Sequence, residues 1–257
     1  MKRLVLGLIS ALAQLWRLLP QRLAHGLLMG LFMLESRSGK PAAGLVRLLK
    51  LKDRLDLVIN ERAMAYGDGE HPKHRLTNYH QFFIDRVAPG ERVLDVGCGY
   101  GAVARSMARQ CPGARVVGVE LDQQRYRQAA AGDNPQNLAF VHGDALVDLP
   151  QGAFDVVVLS NVLEHIDGRV AFLANLLAKT GVTRMLVRVP LFERDWEMPL
   201  RRELGVSYVS DPDHKVEHRV SELMEEFREA GLEVTEMQTM WGEIWAACKR
   251  DERLNGR

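Results

Sequence analysis

The stretch Val93-Leu94-Asp95-Val96-Gly97-Cys98-Gly99-Tyr100-Gly101 decides the fold of this 257-residue chain. Its apolar half predicts a buried β-strand, which leads into a glycine-rich turn and a helix predicted at Ala102–Gln110. Glycine lets the backbone approach a ligand closely, and the N-terminus of the following helix offers unpaired N–H groups. The stretch therefore predicts a strand–turn–helix corner that binds a ligand.

A second strand follows and ends in an acidic residue. Val116–Val119 precede Glu120, whose carboxylate can accept two hydrogen bonds from the hydroxyls of a ribose. The spacing Gly97-x-Gly99-x-x-Ala102 also satisfies the loose dinucleotide fingerprint. The glycines and the acid together therefore predict a nucleoside-bearing cofactor without deciding which one.

Three further features favour one class of cofactor. Asp95 lies inside the first strand, where an NAD-binding strand is usually apolar. Gly143-Asp144-Ala145 follows a third strand and offers an acid and backbone groups to the edge of an adenine. The chain ends in two β-rich runs, Leu232–Trp241 and Glu243–Cys248, which predict a terminal antiparallel hairpin instead of another βα unit.

Together these motifs resemble the class I S-adenosylmethionine-dependent methyltransferases. The resemblance covers roughly residues 75–250 and is carried by Val93–Gly101, Val116–Asp122, Gly143–Ala145 and Phe154–His165. It implies that the cofactor is S-adenosylmethionine and that Asp95 lies with the turn against its methionine part.

The same resemblance implies the other cofactor contacts. Glu120 would bind the ribose hydroxyls, Asp144 would lie near the adenine amino group, and Asn161 would face the sulfonium end. The full predicted cofactor set is Asp95, Gly97, Gly99, Gly101, Glu120, Leu121, Asp144, Ala145 and Asn161.

Strand and helix patterns alternate along the rest of the chain, with a further helix predicted at Leu76–Val87. The alternation predicts an α/β fold, a Rossmann-like, doubly wound, mostly parallel seven-stranded sheet with the antiparallel hairpin and an N-terminal helical extension. We predict these parts: a hydrophobic helical arm at 1–36, a helical cap and linker at 37–90, the methyltransferase domain at 91–250 with a substrate-side insertion at 191–218, and a tail at 251–257.

Composition indicates a globular protein, with 47% hydrophobic and 26% charged residues. The three cysteines show no metal-ligand spacing and fit a reducing cytoplasm. The net charge is +1, yet residues 1–50 carry eight basic side chains against one acidic, a net charge of +7. Because leucines separate these charges, the pattern favours an anionic membrane surface, and we expect no nucleic-acid partner.

The arm contains two apolar runs, Leu4–Trp16 and Leu23–Leu34. Neither reaches the ~18–20 residues needed to span a bilayer. We interpret residues 1–36 as a membrane-surface arm, which places the protein in the cytoplasm, peripheral on the inner face of the membrane. The alternatives are a helical cap on the catalytic domain, a homodimer interface, and a signal or spanning segment.

The predicted catalytic residues are Glu164 and His165, directly after the fourth strand, and His214 in the insertion. His165 is a candidate general base because a histidine titrates near neutral pH. The alternative is a histidine that caps or packs at the end of the strand.

Two segments offer candidate substrate-binding residues. The long connection Leu191–His218 and the basic segment Asp68–Arg75 lie on either side of the core motifs in sequence. The residues are His71, His74, Arg75, Trp196, Tyr208 and His218. The alternatives are a solvated surface loop and a charged helix start.

A divalent metal at Asp211, His214 and His218 is an alternative use of the insertion. We expect no metal, because these residues follow no known ligand spacing.

The sequence thus predicts a methyltransferase that acts on oxygen of a small-molecule, lipid-linked or glycan-precursor acceptor. Ser160-Asn161-Val162-Leu163 stands where amino-methylating nucleic-acid enzymes carry Asn/Asp-Pro-Pro-Tyr. The difference disfavours DNA base methylation but leaves other RNA enzymes open. The alternatives are a non-catalytic membrane-associated scaffold that retains the fold and an NAD-dependent oxidoreductase.

Overall fold

The computed structural model of the chain describes residues 12–147, 149–150 and 152–254. Most of the first apolar run of the arm lies outside these residues. The chain divides into two compact units. The smaller comprises Met1–Asp68 and Leu200–Ser207, and the larger comprises Gly69–Pro199 and Tyr208–Arg257.

Two helices make up most of the smaller unit, α1 (Gln21–Arg37) and α2 (Pro41–Tyr66). Proline suits the first position of α2, where its missing N–H would have no partner in the helix. The helices approach closely near the turn between them, since a Cβ on Gly44 would lie 2.1 Å from the Ser36 carbonyl oxygen. Many large apolar side chains of α1 are nevertheless exposed, among them Leu27 and Leu31.

The larger unit is built on a sheet that has seven strands within the described residues. The strands are β1 (Arg92–Val96), β2 (Arg115–Glu120), β3 (Leu138–His142), β4 (Val156–Ser160), β5 (Arg184–Pro190), β6 (Leu232–Met240) and β7 (Glu243–Arg250). They lie in the order β3-β2-β1-β4-β5-β7-β6. β1 to β5 are parallel, whereas β7 pairs antiparallel with β5 and β6. The predicted Rossmann-like sheet with a closing hairpin is confirmed.

Helices connect the strands and cover both faces of the sheet. They are α3 (Lys73–Thr77), α4 (Tyr79–Ile84), α5 (Ala102–Gln110), α6 (Gln123–Ala131), α7 (Arg169–Thr180), α8 (Glu197–Glu203) and α9 (Val220–Glu229). Successive strand residues point to opposite layers. Leu94 of β1 packs in one apolar cluster with Leu173 of α7, and its neighbour Val93 packs in another with Met107 of α5.

The helix predicted over Leu76–Val87 is wrong in its extent. The structure has two short helices, α3 and α4, separated by Asn78, which adopts a left-handed conformation with φ +48°. A left-handed residue interrupts the helical ladder, and asparagine tolerates that conformation better than most residues. The insertion at 191–218 contains α8 as well as irregular chain.

Parallel pairing places the carboxyl ends of β1 to β4 at one edge of the sheet. Val96 lies opposite Val119, Glu120 opposite His142, and Val96 also opposite Leu159. Ligands of such sheets bind outside this edge. The predicted cofactor residues all lie at these strand ends or in the turns that follow them.

Candidate functional site

The glycine turn, Gly97–Gly101, follows β1 and leads into α5. Its glycines have φ values of +65° at Gly97, +57° at Gly99 and +78° at Gly101, a region that favours glycine. A Cβ on Gly101 would lie 2.4 Å from Cζ of Phe140. A Cβ on Gly99 would meet no described atom within 4 Å. Gly101 is therefore required by packing, whereas at Gly99 the backbone is open to a ligand.

Glu120 is buried at the end of β2 and holds the glycine turn. Its Oε2 accepts a hydrogen bond of 2.8 Å from the Gly99 amide, and its Oε1 accepts one of 2.8 Å from the Asp122 amide. Each carboxylate oxygen has a second lone pair, so both can still accept from a pair of ligand hydroxyls. Glu120 thus holds the glycine turn, and its remaining lone pairs are compatible with the predicted ribose contact.

Asp95 is buried within β1, beneath the turn. Burial raises the pKa of Asp95 to about 7, an effect opposed by the backbone amide of Ala104 and reinforced by the nearby Glu120. Its Oδ2 receives no hydrogen bond from any described residue. An unpaired oxygen of this kind is costly, so it favours a ligand that brings a donor or a positive charge.

Asn161 follows β4 and adopts the left-handed conformation with φ +58°. Its backbone amide donates to the Arg188 carbonyl at 2.8 Å. Its side-chain Oδ1 is buried and, like Oδ2 of Asp95 on the adjacent strand, has no hydrogen-bond partner among the described residues. Two unpaired oxygens therefore occur at the ends of the central strands β1 and β4.

The residues predicted for the adenine side lie at the ends of β2 and β3. The Gly143 amide donates to the Glu120 carbonyl at 3.1 Å, which joins the two strand ends. Oδ1 of Asp144 accepts from the Leu146 amide at 2.9 Å. Leu121 is exposed, and the half-buried Ala145 packs against the core.

The Glu164–His165–His214 cluster brings together the three predicted catalytic residues. Glu164 and His165 lie in a 3₁₀ turn after β4, and His214 comes from the insertion. Nε2 of His214 lies 4.0 Å from Oε1 of Glu164, and the two imidazole rings are 4.6 Å apart in an edge-on arrangement. The insertion is held to the turn by the Lys215 amide, which donates to the Glu164 carbonyl at 2.7 Å.

The protonation of this cluster is set by burial and by neighbouring acids. Burial raises the pKa of Glu164 to about 7. Partial burial lowers the pKa of His165, an effect opposed by Asp213. Burial lowers the pKa of His214, but the Glu217 carboxylate and other nearby acids raise it by more, so the pKa is raised overall. The cluster thus holds groups that can take or hold a proton.

Sequence reasoning missed Arg188 and its partners. The buried Arg188 guanidinium lies 3.7 Å from the ring centroid of Tyr79 and forms an ion pair with Glu243, with Nε at 2.6 Å from Oε2. It also donates to Oγ of Ser160 at 3.2 Å. The available signal was an arginine inside the apolar run of β5, which must have a partner when buried.

A histidine pair lies beside Tyr79. The Tyr79 hydroxyl lies 2.8 Å from Nδ1 of His74, and Nδ1 of His80 lies 2.8 Å from Oγ of Ser106. Burial lowers the pKa of His80 to about 4, so His80 is neutral at physiological pH. His74 is thus placed among buried polar groups, whereas Arg75 of α3 is exposed.

The other candidate substrate residues are dispersed. Trp196 is exposed, and Tyr208 packs edge-on against Phe192 with ring centroids 5.5 Å apart. His71 accepts a hydrogen bond from the Lys73 amide at 3.1 Å. His218 is fully buried, with Nε2 3.3 Å from a carboxylate oxygen of Glu226.

Residues 69–237 match a family model described as a methyltransferase domain, which is more than half of the chain. Ribosomal protein L11 methyltransferase of Burkholderia mallei (strain NCTC 10229) is 38% identical over 102 residues, which are 40% of this chain and 32% of that protein. The chain thus spans about a third of the length of the curated relatives it matches.

Solved structures agree in fold. A chain of the complex between the Haloferax volcanii Trm112 methyltransferase activator and a methyltransferase has a TM-score of 0.58 and 18% identity, covering 72% of this chain and 94% of that one. Magnesium protoporphyrin IX methyltransferase from Synechocystis PCC 6803, solved with bound SAH, has a TM-score of 0.53 and 17% identity, covering 69% and 83%.

Proposed function

The chain belongs to the family of S-adenosylmethionine-dependent methyltransferase domains, and we propose that it methylates an oxygen atom of a small-molecule, lipid-linked or glycan-precursor acceptor at a membrane surface. The observation that carries the choice of oxygen is the Glu164–His165–His214 cluster, because a hydroxyl must lose a proton during transfer. A neutral amine needs mainly orientation and the exclusion of water.

The residues present fit S-adenosylmethionine, whose sulfonium supplies an activated methyl group. The open backbone at Gly99 leaves room for it beside the Glu120 carboxylate, which would accept from the ribose hydroxyls. The unpaired oxygens of Asp95 and Asn161 would face its positively charged groups. Asp144 and its neighbours at the end of β3 would take the adenine.

Proton removal is the proposed role of the Glu164–His165–His214 cluster. Nδ1 of His165 lies 3.1 Å from Oδ2 of Asp213, a contact that orients the ring and leaves Nε2 for chemistry. Asn161 stands only a few residues before it, so the proposed sulfonium end of the cofactor site and the cluster share one strand end.

The acceptor is proposed to lie along the insertion. Trp196 and Tyr208 offer aromatic surface, and the half-buried His74 offers a polar contact near Arg188. Aromatic rings beside cationic and acidic groups suit a polyhydroxylated or anionic acceptor. His218 is not part of this proposed site, because its side chain is fully buried against Glu226.

The membrane part of the proposal is supported by α1 and its flanks. Exposed apolar side chains occur on this helix, with basic residues such as Arg22 and Arg37 at its ends. A helix of this composition can lie in the interface of an anionic bilayer. Among the described residues, no helix has both the length and the apolarity that crossing a membrane requires. From the exposed apolar and flanking basic side chains of α1, we propose a cytoplasmic enzyme peripheral to the inner face of the membrane.

Membrane binding is tested with vesicles that contain anionic lipid. The full chain should sediment with them, and deletion of residues 1–36 should leave it in the supernatant. A Leu27→Glu, Leu31→Glu double variant should behave like the deletion, while Leu204→Glu, outside the arm, should not. If the full chain stays in the supernatant, the arm is a cap or a dimer element, which sedimentation equilibrium distinguishes.

The reaction is tested in two steps. Calorimetry should show binding of S-adenosylmethionine and its demethylated product, and NADH should not bind. Incubation of a membrane extract with methyl-labelled cofactor should then label a product in which the methyl group is bound to oxygen. A protein that binds no cofactor would be a scaffold, and a label on nitrogen would refute the choice of acceptor atom.

A further inference from the structure

We propose that Glu164, His165 and His214 bind one divalent first-row transition cation. The catalytic role of this site rests on the oxygen methylation proposed above. The binding of the cation does not depend on that proposal. The proposal departs from the sequence expectation that no metal binds, and it replaces the set Asp211, His214 and His218.

The first argument is the buried carboxylate. Glu164 has no exposed surface, and neither of its oxygens accepts a hydrogen bond of ordinary geometry from any described residue. A buried carboxylate without a partner is costly, and protein sites pair such groups with a cation. What faces Glu164 is an imidazole nitrogen of His214 at 4.0 Å, too far for a hydrogen bond.

The second argument is the spacing of the ligand atoms. One atom from each of Glu164, His165 and His214 lies within 4.8 Å of the others. Two ligands of one tetrahedral zinc ion, each at about 2.1 Å, lie about 3.4 Å apart. The His214–Glu164 pair, at 4.0 Å, is wider than that value, and no pair exceeds 4.8 Å, so side-chain rotations can bring all three atoms onto one ion.

The third argument is the support behind each histidine. Nδ1 of His165 contacts Asp213 at 3.1 Å, and Nδ1 of His214 lies 3.4 Å from Oε1 of Glu217. A carboxylate behind one ring nitrogen fixes the tautomer and leaves the other nitrogen as a metal ligand. Glu217 is itself held by an ion pair with Arg194 and by the Ser210 amide.

The donor set identifies the class of cation. Two imidazoles and one carboxylate suit zinc, manganese or iron in the divalent state, whereas calcium and magnesium prefer oxygen ligands. The His165 side chain is one-third exposed, which leaves coordination positions open on the solvent side. Open positions are typical of catalytic sites rather than structural ones.

The cation has a defined use in methyl transfer. With the cation bound, His165 is a ligand and the cluster acts on the acceptor proton through the cation. A hydroxyl bound to the cation has a lowered pKa and gives its proton to water. The hydroxyl oxygen then forms the bond to the methyl carbon, while the carbon–sulfur bond breaks and its electron pair stays on sulfur. The sulfonium thereby becomes a neutral thioether, and charge and atoms balance.

The test uses the full-length, tag-free protein after dialysis against a chelator. Calorimetry with zinc chloride should give one equivalent bound, and Glu164→Gln should weaken binding by about 100-fold or more, beyond what loss of a supporting residue causes. His214→Ala should do the same. Glu236→Gln and His25→Ala are matched controls outside the cluster and should bind like the parent. Cobalt chloride should give a visible absorption band that Glu164→Gln abolishes.

Circular dichroism and the affinity for S-adenosylmethionine check that each variant is folded. Loss of zinc with the cofactor affinity retained supports the site. If Glu164→Gln does not fold, the exposed-side variant His165→Ala decides. The proposed metal site is overturned if the parent protein binds no stoichiometric zinc. It is also overturned if the folded Glu164→Gln and His214→Ala variants bind zinc as well as the parent does. Zinc binding without methyl transfer to oxygen supports the site and refutes the proposed reaction.

Discussion

The two ends of the candidate site are built in different ways. The cofactor side, around Gly99 and Glu120, is shaped by backbone that follows adjacent strands. The acceptor side, the Glu164–His165–His214 cluster, is made of side chains from segments about fifty residues apart. The Glu120 carboxylate on the cofactor side accepts from two amides at 2.8 Å. The Glu164 carboxylate on the acceptor side accepts from no donor among the described residues.

The difference teaches how each side responds to substitution. In the glycine turn of the cofactor side, the backbone is shaped by the absence of side chains, so added atoms should do the damage there. On the acceptor side, function depends on charged groups, so removed atoms should do the damage. Four substitutions or conditions separate these two behaviours.

The largest effect is expected from His165→Ala. Removal of the imidazole should lower kcat by about a thousandfold, because it deletes a group that handles the acceptor proton. The affinity for S-adenosylmethionine should stay within a factor of two, since the cofactor contacts lie on other residues. Steady-state kinetics and calorimetry measure the two quantities. A parallel loss of affinity would show that the two sides are not separate.

Gly101→Ala is expected to lower the free energy of unfolding by about 2–3 kcal/mol. The ring of Phe140 lies close to both Gly101 and Gly118, so a new Cβ on Gly101 would force the ring or the turn to shift. Gly99→Ala is the matched control, with a similar φ but open space. It should cost only about 1 kcal/mol of stability and yet weaken cofactor binding.

Urea denaturation and calorimetry on both glycine variants decide the comparison. If both variants lose the same free energy of unfolding, the positive φ accounts for the cost of a side chain in the turn, and contact with Phe140 does not. Unchanged cofactor affinity in Gly99→Ala would mean that the ligand does not approach the backbone there.

Glu120→Ala is expected to weaken cofactor binding by about 30- to 100-fold, the loss of two charge-assisted hydrogen bonds to the ribose. It also leaves the amides of Gly99 and Asp122 without their acceptor. Glu120→Gln keeps the shape of the side chain and two acceptor lone pairs, so it should lose less cofactor affinity than Glu120→Ala. Equal affinities of Glu120→Ala and the parent would remove Glu120 from the ribose site.

The smallest effect is a pH dependence set by Asp95. Because burial raises its pKa to about 7, the carboxyl is mostly neutral at pH 6 and mostly charged at pH 8. The positively charged cofactor favours the charged form, so affinity should rise about tenfold over this range. For this group alone, the free energy of unfolding falls between about pH 4 and pH 7, because the folded state binds the proton more tightly.

Calorimetry at several pH values, with Asp95→Asn as the control, checks this expectation. The variant should bind more weakly with a flatter profile. A parent profile that matches that of the variant would assign the dependence to another group.

The meeting of the glycine turn with the ends of β2 and β3 could be predicted from the sequence because its parts are local. Each strand in β1 to β3 is followed at once by its turn, and parallel neighbours bring those turns together. The pairing of β5 with β7 is not local, so the sequence indicated that Arg188 needs a partner but not that the partner is Glu243. The break at Asn78 was missed because a left-handed asparagine inside an apolar pattern resembles continuous helix.

On the acceptor side the residue types could be predicted and their assembly could not. Glu164 and His165 are candidates because they directly follow a strand, and His214 is a candidate because it belongs to a polar insertion. The spacing of these residues in the sequence does not indicate that a hydrogen bond from the backbone amide of residue 215 brings the insertion back to Glu164.

The hydrogen bond between the Lys215 amide and the Glu164 carbonyl has an evolutionary consequence. Every amino acid except proline supplies the same amide at position 215, so the attachment of the insertion places almost no demand on the side chain there. Residues of the insertion outside the Glu164–His165–His214 cluster can be exchanged for ones that recognise a different acceptor without detaching the segment. One scaffold could in this way diversify its choice of substrate while its reaction chemistry stays constant.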